Sequence, residues 1–276
     1  MSEKGFSLTK ERESTILNSV HGNFSVLGEE YYLKGSSRLS FLAAEFFRLS
    51  FMSYAGNGRI VEPYCVIHVK SKENSVSVVS DAALADALEK WIRGEDLNGR
   101  NKDGMYYIVM ENLHRIGGIE VELVREAVLR RMLRTETDKD AASRIKALLF
   151  ELSISERGRG HLPYETVQRV AGKLAKTLDG ANDNDLHSEI FTNLSETISY
   201  LHSKRIAHGD PHGRNAFITD DPDRPLVLVD PNSSCWCMEP ACRHFNNMQY
   251  WDSRYLKGYA RPFTSERWSS PISPRR

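Results

Sequence analysis

The segment Leu201–Ser234, LHSKRIAHGDPHGRNAFITDDPDRPLVLVDPNSS, constrains this chain more than any other. Leu194, Ile198 and Leu201 share one helical face, and the helix they predict runs into a tight loop carrying His208, Gly209, Asp210, His212 and Asn215. A strand over Ala216–Thr219, the turn-rich stretch DDPDRP and an apolar strand over Leu226–Asp230 follow. Two acids, with an amide between them in sequence, therefore stand at the mouths of neighbouring elements. That pattern suits a divalent-metal and phosphate site. One carboxylate can orient and deprotonate a hydroxyl, while the amide oxygen and the second carboxylate ligate Mg²⁺.

These residues resemble the catalytic core of the protein-kinase-like superfamily. His208-Gly209-Asp210, with Asn215 five residues after the acid, resembles the catalytic loop H-R-D-x-x-x-x-N with Gly in place of Arg. Asp230, closing an apolar strand, resembles the metal-binding acid of D-F-G in the form Asp-Pro-Asn. The further His212 is similar to the aminoglycoside and choline phosphotransferase branch and to several small bacterial kinases. The resemblance implies an α+β, two-lobed protein-kinase-like fold. A small antiparallel-sheet N-lobe would span 1–113. A mostly helical, truncated C-lobe would span 114–276, with its catalytic loop at 208–215 and its metal-binding strand end at 226–230. It also implies ATP and Mg²⁺ as cofactors, Asp210 as catalytic base, and Asn215 and Asp230 as metal ligands.

Such a fold needs a strand lysine for the phosphates and a helical glutamate to hold it. Lys34 ends the strand EEYYLK, and Glu45 lies in an apolar helix beginning at Leu39, where an unpaired charge is costly. Lys70, ending CVIHVK, and Glu89 on a predicted helix form a second candidate pair; Lys34 and Glu45 are preferred because the run after Glu45 resembles the helix-to-strand passage that follows the paired glutamate. The strand YYIVMENL resembles the lobe-connecting hinge, where backbone groups of Glu111 to Leu113 would receive adenine. No GxGxxG is present. Gly22, in a turn His21-Gly22-Asn23 between predicted strands Thr15–Val20 and Phe24–Leu27, is the glycine in position to approach phosphate.

Departures from the family pattern bear on the acceptor. Gly209 replaces the arginine that would pair with an activation-loop phosphate, and nothing like A-P-E follows Asp230. Only 46 residues remain after that acid, a short tail for enclosing a small polar molecule. The preferred acceptor is a Ser/Thr hydroxyl of a protein substrate. A small-molecule hydroxyl, as in the aminoglycoside branch, and a pseudokinase binding module are the alternatives. Resemblance to reduced bacterial kinases also implies an effector delivered into a host cell.

Composition sets outer limits. The 37 basic and 37 acidic side chains cancel, which argues against an electrostatically driven nucleic-acid binder. The longest apolar stretch, Phe41–Met52, is broken by Glu45 and Arg48, so no membrane span is expected. Four cysteines in 276 residues, with no secretory signal in the first residues, predict reduced thiols and a cytoplasmic setting. Three of those cysteines, Cys235, Cys237 and Cys242, lie with His244 in a ten-residue run that could offer a zinc set, although the usual paired C-x₂-C spacing is missing. Arg125, Arg130, Arg131 and Arg134 form a basic stripe on a predicted helix, read as a solvated face balanced by Glu122, Glu126 and Glu136.

Overall fold

The computed structural model describes residues 6–19, 24–27, 30–70, 72–95, 104–154, 172–173, 175–176, 179, 183–231, 235–236 and 241–259. It is a mixed α+β structure whose chain divides after Gly117 into two compact units. Among the described residues no helix is long and apolar enough to cross a membrane.

The first unit is built on a five-stranded antiparallel sheet in the order β1-β2-β5-β3-β4, with β1 at Phe24–Leu27, β2 at Tyr31–Ser36, β3 at Pro63–Lys70, β4 at Ser75–Val78 and β5 at Met105–Glu111. Central β5 carries Tyr107, Ile108, Val109 and Met110, all buried, because it is covered on both faces. Alternation along the strands sorts the side chains. Leu33, Ile67, Val69, Tyr107 and Val109 join Ile16 of α1 (Lys10–Ser19) in one apolar cluster. Lys34, next to Leu33, falls on the other face, opposite Ile108 in the β2–β5 register. There it meets α2 (Leu39–Ala55), whose buried residues include Leu42, Ala43, Leu49, Met52 and Glu45. Helix α3 (Asp81–Arg93) packs on α2; Ser80 caps its start by accepting from the Ala83 N–H, and left-handed Gly94 ends it.

Helix α1 corrects the expected strand at Thr15–Val20. The β-branched run TILNSV has strand propensity, but Thr9 Oγ1 accepts from the Arg12 N–H at 3.2 Å and Glu11 and Glu13 occupy the first turn, both favouring a helix N-terminus. Fully buried Ile16 and the bond from the Val76 N–H to Glu13 Oε1 (3.1 Å) then fasten that helix to the sheet. Gly22 lies outside the described residues.

The second unit holds α4 (Val121–Thr135), α5 (Lys139–Ile154), α6 (Asp183–Ser203) and α7 (Arg243–Tyr259). A three-stranded sheet β6-β8-β9 uses Ile119–Glu120, Ala216–Ile218 and Leu226–Leu228, and a two-stranded one pairs β7 (Ile206–Ala207) with β10 (Cys235–Trp236). Leu186, Ile190, Leu194, Ile198 and Leu201 line the buried face of α6 at helical spacing. Helix α7 packs on α6, β7 and β10, with Phe245 buried against Ala207. Residues 164–178, where the sequence also predicts a helix, lie largely outside the described residues.

Candidate functional site

Two constellations carry the residues singled out in the sequence, one in each unit. In the first, Lys34 Nζ and Glu45 Oε1 stand 2.5 Å apart, with side chains 13% and 5% exposed. The rival pair does not assemble. Lys70 bonds Glu73 at the surface (3.0 Å), and Glu89 pairs with Arg93 one turn along α3. Glu45 Oε2 is buried with no hydrogen-bond partner among the described residues, so Lys34 supplies the one bonded neutralisation shown for that carboxylate. Replacing Lys34 by Met is expected to cost about 3 kcal/mol, because it strands a buried charge; Lys34→Met/Glu45→Leu should recover most of the loss. Urea unfolding of both variants checks this.

At the end of β5 the main chain is tied on both sides. The Glu111 N–H donates to the Glu62 carbonyl at 2.9 Å and the Asn112 N–H to the Glu30 carbonyl at 3.1 Å. Leu113, buried, then opens a single 3₁₀ turn to Ile116.

The second constellation is the loop from His208 to Asn215. Gly209 has φ 83°, a conformation that favours glycine, which explains why no larger side chain stands between the histidine and the acid. His208 is fully buried; its Nε2 lies 3.0 Å from the Val229 carbonyl and its Nδ1 accepts from the Asp210 N–H at 3.3 Å, which places the ring proton on Nε2. Asn215 Nδ2 donates to the Asp210 carbonyl (3.1 Å), and the Val229 N–H donates to the Asn215 carbonyl (2.8 Å). The loop and the segment bearing Asp230 are thereby knitted together around Asn215. Asp230 itself does not close a strand as expected. Strand β9 stops at Leu228, and Asp230 takes φ 55°, a left-handed conformation that costs a non-glycine residue about 1 kcal/mol.

Two residues of this site escaped the sequence reading. Asp252 of α7, 1% exposed, accepts from the His208 N–H (Oδ2, 2.9 Å) and the Gly209 N–H (Oδ1, 2.7 Å), and its Oδ2 also meets His202 Nε2 at 2.8 Å. Tyr255, one turn on, donates its hydroxyl to Asp210 Oδ1 at 2.7 Å. A signal for Asp252 existed. Phe245, Met248, Asp252 and Tyr255 recur at helical spacing, so an acid sits on an otherwise apolar-aromatic face.

Burial lowers the pKa of His208 from the usual 6.5, although Asp252, the Val229 carbonyl and the Asp210 and Asp230 carboxylates pull the other way. The unfolded chain therefore binds this proton first as pH falls, and stability should decline from 6.5 down to the folded value. In an NMR titration from about pH 7.5 to about pH 5.5, the His208 ring should keep its neutral resonances after exposed imidazoles have begun to shift.

Among the described residues no three His, Cys, Asp or Glu side chains are grouped so as to hold a metal ion. Of the cysteine-rich run, the Cys235 side chain and Cys237 lie outside the described residues; Cys242 Sγ accepts from the Phe245 N–H at the start of α7 (3.4 Å), and His244 is exposed. On α4, exposed Arg130 pairs with Glu126 at 2.7 Å and Arg134 is exposed, whereas Arg125 and Arg131 are half-buried, so the stripe is only in part the solvated face expected. The chain matches no protein-family model and no curated protein sequence.

Proposed function

We propose that this chain is an ATP- and Mg²⁺-dependent phosphotransferase of two-lobed, kinase-like architecture, acting on Ser/Thr hydroxyls of a protein. The observation that carries the reading is the knot around Asn215. Its side chain bonds the Asp210 carbonyl while its own carbonyl receives the N–H of Val229, next to Asp230. A base, an amide and a second acid are held in one hydrogen-bonded frame, as positional catalysis of phosphoryl transfer requires.

In this reading Lys34 contacts the nucleotide's phosphates and Glu45 keeps its ammonium in place. Main-chain groups at Glu111 and Leu113 receive the adenine, and the Gly22 turn approaches the phosphates. Asp210 orients the acceptor hydroxyl and takes its proton. The donor chemistry around Asn215 and Asp230 fits Mg²⁺. With Nδ2 committed to the Asp210 carbonyl, Oδ1 is left as the amide's acceptor, and Asp230 adds a carboxylate. Magnesium takes few protein oxygens and completes its shell with phosphates and water, so a dense acidic cage is not needed. Bound there, the ion would neutralise charge on the phosphates. Asp230's left-handed backbone supports the same role, since such strain persists where the surroundings impose it.

The test is incubation of wild type and Asp230→Ala with Mg²⁺-ATP and a cell lysate, followed by intact-mass and phosphosite analysis. A phosphoryl group added to the enzyme or to lysate proteins by wild type alone supports a protein kinase. ATP consumption without protein phosphorylation points to a small-molecule acceptor. A wild type that neither binds nor consumes ATP sinks the enzymatic reading and leaves a pseudokinase binding module.

A further inference from the structure

We infer that Tyr255 is a positioning residue for Asp210, an inference that rests on the phosphotransferase reading above. The Asp210 side chain is 37% exposed, so packing alone does not hold its carboxylate in one orientation. Two side chains of the same unit face it instead. The Tyr255 hydroxyl donates to Oδ1 at 2.7 Å, and His212 Nε2 lies 3.6 Å from Oδ2. His212 Nδ1 accepts from the Arg214 N–H at 3.2 Å, which puts the ring proton on Nε2, the atom nearer the carboxylate. The Tyr255 and His212 rings meet edge-on, with centroids 6.4 Å apart.

The short bond is the one from Tyr255, an O–H on a carboxylate, which belongs to the stronger class of hydrogen bonds. It commits Oδ1 to α7 and leaves Oδ2 as the oxygen to receive an acceptor's proton. Its neighbour on the helix completes the arrangement. Asp252 holds the main chain of the loop at His208 and Gly209, while Tyr255, three residues later, holds the side chain that the loop presents. A general base must offer its oxygen within hydrogen-bond reach of the proton it removes, and small misplacements cost large factors in rate. Tyr255 therefore acts on the chemical step through Asp210.

The experiment compares wild type with Tyr255→Phe, which keeps the ring and removes the donor. ADP formation is followed with Mg²⁺-ATP and dephosphorylated casein as acceptor, alongside thermal melts of both proteins. The expected result is a kcat lowered about tenfold, with KM for Mg²⁺-ATP and the melting temperature unchanged. An unchanged or increased kcat in an active enzyme overturns the proposal alone. So does a kcat loss that comes with a lowered melting temperature or a raised KM for ATP, since that pattern marks a structural role. A wild type that forms no ADP overturns the phosphotransferase reading and the Tyr255 role with it.

Discussion

Asp210→Asn is expected to lower kcat by about 10²- to 10⁴-fold, the range attributed to a positioned general base, while ATP affinity stays within about twofold. The separation follows from how the residue is used. Asp210 binds Asn215 through its main-chain carbonyl, and its side chain bonds Tyr255 and faces His212. Exchanging the carboxylate for an amide leaves the Asn215 tie untouched and removes the group that, in the proposed reaction, takes the hydroxyl proton. Kinetic assay of the variant beside calorimetric ATP titration distinguishes the two effects. A variant that retains full turnover would remove Asp210 from the chemistry, and one that loses ATP binding would make it a structural residue.

The largest stability loss is expected at Asp252. Its carboxylate is almost wholly buried and answers two backbone N–H groups and one imidazole nitrogen. Asp252→Ala would leave the His208 and Gly209 N–H groups without that acceptor in a dry environment, at about 1–3 kcal/mol each. A total of about 4 kcal/mol is a large part of the 5–15 kcal/mol that holds a typical domain together. Asp252→Asn keeps one acceptor oxygen and should cost markedly less. Urea unfolding curves for the three proteins at a common pH provide the check. A loss below about 1 kcal/mol for the alanine variant would mean that water or a rearranged loop replaces the carboxylate.

The elements that the sequence announces most clearly are those whose local pattern and tertiary fate agree. MYYIVM reads as a buried strand because every residue from Tyr107 to Met110 is covered. The apolar spacing after Leu39 marks α2, and the charge of Glu45 inside it signals a partner, which strand alternation supplies as Lys34. Helix α1 was illegible for the opposite reason. Its β-branched residues favour a strand locally, against the Thr9 cap and the acidic first turn, and the fit of Ile16 into the sheet's core and the Glu13–Val76 bond decide for a helix. Around the loop from His208 to Asn215, His208, Asp210 and Asn215 stand out by spacing, whereas the groups that hold them come from a polar segment far along the chain. Asp252 lies 44 residues beyond His208, and Tyr255 lies 45 beyond Asp210. No local pattern in the loop predicts either contact.

That separation has a consequence for biosynthesis. A ribosome that has completed the HGD loop has not yet made its fastener, so the nascent loop lacks the carboxylate that fixes its two N–H groups. Assembly must wait for α7 to emerge and dock, a long-range closure that lies among the slower events of folding. Until then the loop backbone has no internal acceptor at those positions. The last described helix thus acts as a timer: the loop acquires its shape only after nearly the whole described chain has been synthesised.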